Sequence, residues 1–330
     1  MNDSLRLCTV YDRFFPIGTA VDSGVIRTHR QLLLQHFNSL TAENDMKFGI
    51  IHPKEKEYQF DKADAIAAFA QENGFRMRGH TLVWHQQTPE WLFQGAAGQT
   101  VSQDQLLGRL RDHITTVVRR YRGQVYCWDV VNEAVSDSGG EDLRRSPWLD
   151  ICGPDYIEQA FAWAHAADPD ALLFYNDYNA AIPKKRDRIG RLVQRLQQKG
   201  IPIHGVGIQG HWNLDGPSLE DIRTAVEAYA ALGVQVHITE LDMSVFSWDD
   251  RRTDLAQPTA EMTDRQAQRY AALFALFREY AEVITNVTFW GPADDHTWLH
   301  NFPVRGRTNW PLLFDHHHRP KPAFFDITRF

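Results

Sequence analysis

Two glutamates lie at the ends of two apolar runs that are typical of buried strands. Glu133 closes the run Val125–Glu133, and Glu240 lies near the end of Val234–Asp242. Both runs are rich in β-branched or aromatic residues and contain neither Gly nor Pro. A carboxylate at the exit of a buried strand costs free energy unless a partner or a substrate satisfies it. The two positions therefore predict one site that contains two acids.

Two carboxyl groups that face each other across a cleft fit the chemistry of glycoside hydrolysis. One protonates the leaving oxygen, and the other attacks the anomeric carbon or activates a water molecule. Sugars also stack on indole rings, and Trp84, Trp290 and Trp298 fall on the predicted loop face that carries the glutamates. Core packing explains any one Trp equally well, so only the set of three favours a sugar cleft.

Eight predicted strands alternate with predicted helices along the chain. We predict strands over residues 15–21, 38–43, 75–84, 125–131, 171–175, 204–209, 234–239 and 283–290. We predict helices over 28–36, 61–73, 102–121, 156–167, 183–199, 218–232 and 263–282, with a last one after Pro322. This alternation favours parallel strands with helical crossovers. Eight such units predict an α/β protein of one domain, a closed (β/α)8 TIM barrel.

An open doubly wound sheet is the competing architecture. It would be expected to carry a Gly-rich phosphate turn after its first strand, whereas the chain has GTAVDSG at residues 18–24. In a barrel, the reacting groups lie at the carboxyl ends of the strands. The long predicted connections 134–154, 242–262 and 291–320 all follow strands, so they are expected to build a cleft on that face.

Composition excludes several classes of partner. The net charge is −7 and the charges are dispersed, which argues against a nucleic-acid partner. No segment approaches the ~20 consecutive apolar residues of a membrane span. The three cysteines show no CxxC spacing, so they indicate neither a disulfide framework nor a zinc site. We predict that Cys127 and Cys152 are buried. The sequence does not indicate the oligomeric state.

A metal-dependent amidohydrolase is a further alternative, in which the ligands would be His80, His85, His211 and Asp242. Metal-dependent hydrolases on this barrel usually carry an HxH pair on the first strand, where this chain has GTAVD. We therefore expect no metal and no cofactor. We interpret His211 and Asp242 as groups that orient Glu240, and the triplet His316–His318 as a solvated loop.

Six motifs, in order along the chain, resemble those of the family 10 glycoside hydrolases, the endo-β-1,4-xylanases. They are TAENDMK (Thr41–Lys47), RGHTLVWH (Arg78–His85), WDVVNEA (Trp128–Ala134), GIQGHW (Gly207–Trp212), ITELD (Ile238–Asp242) and FWG..D...W (Phe289–Trp298). The resemblance implies a retaining enzyme that hydrolyses β-1,4-xylosidic bonds in xylan and xylo-oligosaccharides. It also implies a single catalytic barrel over residues 1–330, and no accessory carbohydrate-binding module is visible.

The resemblance further implies a role for each site residue. Glu133 is expected to be the general acid/base and Glu240 the nucleophile, with carboxyl groups ~5–5.5 Å apart. Asn132 is expected to donate to the 2-hydroxyl of the reacting xylose, a contact that tightens in the transition state. His211, backed by Asp242, is expected to hold Glu240 ionised. The remaining expected sugar contacts are Lys47, His80, Trp84 and Gln209 at the reacting subsite, Glu43 and Asn44 at the next glycone sugar, Trp290 and Trp298 above the glycone subsites, and Tyr178 on the aglycone side.

One segment departs from the pattern of the family that the chain resembles. The segment WGPADDHTW departs from the more usual WGV, and Pro292 and His296 are expected to alter the loop that carries Trp298. The N-terminus shows no secretory signal. We therefore expect a cytoplasmic enzyme of bacterial type that favours short, imported xylo-oligosaccharides.

Two rival functions use the same barrel. One is a barrel that binds sugar without cleaving it. Release of chromophore from an aryl xylobioside would exclude this alternative. The other is a glycosidase that acts on cellobiosides. A comparison of rates on xylose- and glucose-based aryl glycosides would identify it. A chelator would inactivate the metal-dependent alternative.

Overall fold

The chain forms a closed barrel of eight parallel strands. The structure, a computed structural model, describes residues 5–138 and 140–330. Its strands are β1 (Ile17–Val21), β2 (Ser39–Ala42), β3 (Arg76–Val83), β4 (Val125–Asn132), β5 (Leu172–Asp177), β6 (Gly205–Ile208), β7 (His211–Asn213), β8 (Gln235–Ser244) and β9 (Ile284–Phe289). β1 to β6 pair in chain order, β6 pairs with β8, and β9 joins β8 to β1. The predicted barrel is therefore confirmed, and β7 is a short extra strand along β8.

Helices connect the strands on the outside of the barrel. They are α1 (Leu7–Val10), α2 (Val25–Thr28), α3 (Arg30–His36), α4 (Phe48–Ile51), α5 (Asp61–Asn73), α6 (Gln103–Arg120), α7 (Pro147–Cys152), α8 (Asp155–Ala167), α9 (Pro183–Gln198), α10 (Leu219–Ala230), α11 (Ala260–Glu279) and α12 (Pro322–Thr328). Two short 3-10 helices span Glu90–Leu92 and Trp298–His300. Within the described ranges, no helix combines the length and apolarity needed to cross a bilayer.

Most predicted boundaries hold to within two residues, and three larger differences have identifiable causes. The helix predicted over 28–36 is interrupted at His29, whose φ of −107° and ψ of 13° separate α2 from α3. α11 begins at Ala260 because the hydroxyl of Thr259 accepts from the backbone N–H of Met262 and caps the helix there. β8 continues to Ser244 because its last residues pair with β7.

A buried ion pair lies inside the barrel. Arg78 and Asp129 are fully buried, and Nη2 of Arg78 lies 2.6 Å from Oδ1 of Asp129. Burial alone would raise the pKa of Asp129, but the charge of Arg78 and the hydrogen bonds from His80 and Arg78 together outweigh burial and lower that pKa. The second carboxylate oxygen lies 2.9 Å from Nδ1 of His80. The ion pair therefore also fixes the His80 ring below the barrel mouth.

Glycines permit close contact between neighbouring strands. Gly79 of β3 pairs with Trp128 of β4, and a Cβ at Gly79 would lie 2.2 Å from the indole. Gly205 of β6 pairs in the same way with Phe174 of β5, where the distance would be 2.1 Å. Each glycine thus makes room for a large buried ring on the adjacent strand.

We predict that Gly79→Ala lowers the free energy of unfolding by about 1–3 kcal/mol, because an extra methyl group overpacks the wall against Trp128. Gly108→Ala is the matched control, since a Cβ there meets nothing within 4 Å. In the interior of α6 it should raise stability by about 0.5–1 kcal/mol. Urea denaturation followed by circular dichroism measures both, and equal midpoints for the two variants would contradict the packing argument.

Candidate active site

Glu133 and Glu240 meet at the mouth of the barrel. Glu133 directly follows β4 and is 8% exposed, and Glu240 lies within β8 and is 4% exposed. Their backbone N–H groups donate to the strands beside them, Glu133 to the Asn176 carbonyl at 2.9 Å and Glu240 to the Gln209 carbonyl at 2.7 Å. Segments at the ends of four strands therefore hold the two acids on the same face of the barrel.

A chain of side-chain hydrogen bonds joins the two carboxyl groups. Nε2 of Gln209 donates to Oε1 of Glu133 at 3.0 Å and lies 3.3 Å from Oδ1 of Asn132. Nδ2 of Asn176 donates to the same Asn132 oxygen at 2.9 Å and to Oε1 of Glu240 at 2.8 Å. Three amides thus fix the relative position of the two acids.

The amide of Asn132 is oriented by these neighbours. Its Oδ1 accepts from Asn176 and Gln209, which leaves its Nδ2 as the group that can donate to a ligand. Turning the amide would gain contacts with the Asn176 carbonyl oxygen at 3.1 Å and with Nε1 of Trp84 at 3.3 Å, but would set the amide nitrogen against the side-chain nitrogens of Asn176 and Gln209, at 2.9 and 3.3 Å. We therefore assign the first orientation on the basis of the hydrogen bonds.

The backbone of Glu133 adopts a left-handed conformation with φ of 56°. Such a conformation costs about 1–3 kcal/mol in a residue other than glycine, and persists where its surroundings enforce it. Here Nε of Arg144 donates to the carbonyl oxygen of Glu133 at 2.9 Å. The turn directs the acid away from the path of β4, and Arg144 holds the turn.

Glu240 is bound by an imidazole that is itself paired with a second carboxylate. Nε2 of His211 lies 3.0 Å from Oε2 of Glu240, and Nδ1 lies 2.9 Å from Oδ2 of Asp242. Burial alone would lower the pKa of His211, but the two carboxylates raise it to about 10. Burial likewise opposes ionisation of Glu240, yet the hydrogen bond from His211 and the charge of His80 lower its pKa. Glu240 is therefore an anion at neutral pH.

Glu133 is bound differently. Trp84 Nε1 donates to its Oε2 at 2.8 Å and Gln209 donates to its Oε1. In the part of the chain that the structure describes, these neutral groups are its only side-chain hydrogen-bond donors. Two carboxyl groups in such unequal surroundings can divide the tasks of acid and nucleophile.

The residues predicted for the glycone side lie together. Nζ of Lys47 donates to Oδ1 of Asn44 at 3.0 Å and lies 4.8 Å from the centre of the Trp84 ring. Burial lowers the pKa of Lys47, and nearby carboxylates, including Glu43, oppose that shift. His296, the unusual residue of its loop, places Nε2 2.8 Å from Oε2 of Glu43. The departure from the family pattern therefore contacts a predicted sugar-binding residue directly.

Two tryptophans lie against the histidines of the site. Trp290 is nearly buried and meets His80 and His211 edge-on, with ring centroids 5.4 and 6.1 Å apart. Trp298 stacks on Phe302 at 4.7 Å and meets His211 at 4.8 Å. Its Nε1 also donates to Oδ2 of Asp242 at 2.8 Å, a contact that the sequence did not suggest.

Tyr178 belongs to a charged network beside Glu133. Its hydroxyl bonds Asp137 and accepts from Nη2 of Arg144 at 2.5 Å. Nζ of Lys185 lies 3.6 Å from the centre of its ring. Arg144 therefore connects Tyr178 to the backbone of Glu133.

The residues that the sequence analysis considered as metal ligands contact other side chains. His80 bonds Asp129, and His211 lies between Glu240 and Asp242. Among the described residues, the one cluster with the spacing of metal ligands contains none of His80, His85, His211 and Asp242.

Sequence reasoning missed Asn176, Arg144 and the partnership of Glu43 with His296. Asn176 could have been noticed, because it is an amide at the end of a buried strand and pairs in register with Asn132. Arg144 and His296 lie in loops, and no pattern in the sequence indicates which side chains those loops contact.

Comparison with known proteins agrees with this geometry. The profile of the family described as "Glycosyl hydrolase family 10" matches residues 6–330. The chain belongs to glycosyl hydrolase family 10. The predicted resemblance is therefore confirmed.

Relatives of this family 10 chain cover nearly its whole length. It is 57% identical to an endo-1,4-beta-xylanase of Geobacillus stearothermophilus over 320 residues, 96% of each protein. It is 54% identical to endo-1,4-beta-xylanase B of Paenibacillus barcinonensis over 97% of each. The crystal structure of xylanase XynB from Paenibacillus barcinonensis, complexed with a conduramine derivative, superposes with a TM-score of 0.98 at 53% identity over 99% of both chains.

We predict that His211→Asn lowers kcat/KM by about 10–150-fold, the equivalent of a hydrogen bond to a charged group worth about 1.5–3 kcal/mol. The acidic limb of the pH profile should also move to higher pH. His211 lowers the pKa of Glu240, so without it Glu240 takes up its inactivating proton at a higher pH.

The measurement is kcat/KM on an aryl xylobioside across the acidic and neutral range. His317→Asn, an exchange of the same type at an exposed position, is the control and should leave the profile unchanged. A slower variant whose acidic limb does not move would show that His211 does not act through the charge of Glu240.

Proposed function

We propose that this chain is a retaining endo-1,4-β-xylanase that hydrolyses β-1,4-xylosidic bonds in xylan and xylo-oligosaccharides. The observation that carries the proposal is the pair of carboxyl groups in unequal surroundings. Glu240 is paired with a charged imidazole, and Glu133 with neutral donors. The names of the relatives support the substrate class, and the barrel carries both acids without help from another unit.

In the first step, Glu133 gives its proton to the glycosidic oxygen while Glu240 attacks the anomeric carbon. The bond from that carbon to the leaving sugar breaks, and an ester between Glu240 and the glycone forms. His211 keeps Glu240 ionised for the attack. Nδ2 of Asn132 donates to the 2-hydroxyl of the same sugar, where the contact strengthens towards the transition state.

In the second step, Glu133 accepts a proton from a water molecule that attacks the same carbon. The ester to Glu240 breaks, and the product leaves with its original anomeric configuration. This two-step mechanism requires the carboxyl groups of Glu133 and Glu240 to be ~5–5.5 Å apart. The amides of Gln209, Asn132 and Asn176 between them support such a fixed, short separation.

The substrate would lie across Trp84, with its glycone end towards Glu43 and Asn44. Lys47, His80 and Gln209 would surround the reacting sugar, and Trp290 and Trp298 would cover the glycone side. Tyr178 would contact the aglycone through the exposed part of its ring. A subsite shaped for xylose should reject the C6 hydroxymethyl group of glucose.

We further propose a preference for short xylo-oligosaccharides. The support is the contact of His296 with Glu43, which places a side chain of the loop after β9 against the residue expected to bind the second glycone sugar. A third glycone sugar would then have to pass this contact. The enzyme would therefore bind few sugars on that side.

We predict opposite responses to the removal of each acid. Glu240→Ala should abolish turnover on every substrate, because no covalent intermediate can form. Glu133→Ala should still form that intermediate from an aryl xylobioside with a good leaving group, and azide should restore turnover. The exposed Glu72→Ala is the control and should keep normal kinetics.

Proton NMR of the azide adduct checks the stereochemistry in the same experiment. A β-xylosyl azide is expected, because two inversions restore the configuration. An α-azide, or rescue of Glu240→Ala rather than Glu133→Ala, would reverse the assigned roles.

We predict that xylohexaose and xylotriose are cleaved with a kcat/KM per bond that is similar to, or higher than, that of polymeric xylan. We also predict that an aryl cellobioside is a far weaker substrate than an aryl xylobioside. Chromatography of early products measures the first comparison, and chromophore release measures the second. A strong advantage for polymer would refute the length preference while leaving the xylanase assignment intact. Equal rates on both aryl glycosides would refute the substrate class.

A further inference from the structure

Outside the reaction site, the fold brings together His29, Asp295 and His318. His29 lies between α2 and α3, Asp295 in the loop after β9, and His318 in the turn before α12. One ligand atom from each lies within 4.8 Å of the other two. We propose that these three side chains bind one divalent transition-metal ion of the zinc class.

The distances suit such an ion. Nε2 of His29 lies 3.2 Å from Oδ1 of Asp295, and Nε2 of His318 lies 3.2 Å from Oδ2. Ligand atoms bound tetrahedrally at zinc, with bonds of about 2.0–2.1 Å, are separated by roughly 3.3 Å. The two imidazole rings lie close together, tilted by 33° with centroids 4.3 Å apart. Small movements would therefore direct all three ligands to one ion.

The histidines are held in place by their own surroundings. Oγ1 of Thr28 lies 2.8 Å from Nδ1 of His29, so the hydroxyl fixes the ring and leaves Nε2 for the cluster. A partner of this kind on the second ring nitrogen is the usual feature of a metal-binding histidine. His318 has a left-handed φ of 61°, in a turn closed by its N–H donating to the Asp315 carbonyl at 2.9 Å. It lies in the solvated loop that the sequence predicted, but its side chain is more covered than those of His316 and His317 and contacts Asp295.

The donor atoms decide the class of metal. Two imidazole nitrogens and one carboxylate oxygen suit Zn²⁺, Co²⁺ or Ni²⁺, whereas Ca²⁺ and Mg²⁺ prefer oxygen ligands. Asp295 is exposed, so an ion can reach the cluster from solution. Three protein ligands leave one tetrahedral position for water.

A bound ion would connect three segments that are distant in sequence. Asp295 is followed directly by His296, whose ring contacts Glu43. The ion would therefore fix the glycone-side loop to the junction of α2 and α3 and to the turn before α12. It would stabilise the barrel at that edge without taking part in the reaction of Glu133 and Glu240.

The test uses the untagged full-length chain, stripped with a chelator and titrated with Co²⁺, whose visible absorption reports nitrogen and oxygen ligands. Competition with Zn²⁺ then gives its affinity. We expect one ion per chain. Asp295→Asn and His318→Asn should each weaken binding by more than about 100-fold, because loss of even an outer partner costs 10–100-fold. His317→Asn, one residue away, should bind as the parent does.

The melting temperature gives an independent measurement. Zn²⁺ should raise it for the parent and for His317→Asn, but not for Asp295→Asn or His318→Asn, since an ion that binds only the folded state stabilises it. Absence of a stoichiometric Co²⁺ spectrum would overturn the proposal. So would binding that survives both ligand substitutions, because the ion would then lie elsewhere.

Discussion

The imidazolium of His211 between two carboxylates is the interaction on which this active site depends. Two buried carboxyl groups at one barrel mouth would repel each other if both were ionised in the same surroundings. The positive charge of His211 resolves this conflict, because it stabilises the anion of Glu240 and is itself stabilised by Asp242. Glu133 is held instead by the neutral donors of Trp84 and Gln209. The proposed division of labour between acid and nucleophile rests on this difference in partners.

The fold could be predicted wherever the deciding interactions are local. α5 has its predicted bounds because Gly74, with φ of 72°, ends it. Residues whose structure depends on distant partners were predicted less well. β8 runs past its predicted end because β7, more than twenty residues earlier in the chain, offers a pairing edge. The break at His29 likewise has no signal of Gly or Pro.

The site could be predicted as far as its residues lie at or near the carboxyl ends of barrel strands. Asn132 ends β4, Glu133 follows it and Glu240 lies in the second half of β8, and the barrel rule places all such residues on one face. The rule gives no information on which loop side chain reaches which strand. His296 and Glu43 are 253 positions apart, and only the folded chain brings them to 2.8 Å. Sequence reasoning gave His211 as a partner of Glu240, but not Asn176 beside Glu240 or Arg144 behind Glu133.

The extension of β8 has a consequence for how this protein can vary. Glu240 and Asp242 are two residues apart on one extended strand, so their side chains point to the same side and both reach His211. Insertion or deletion of a single residue between them would turn one of the pair to the opposite side. A change in the length of this segment would therefore separate His211 from one of its two carboxylates, whereas a substitution outside these three residues need not.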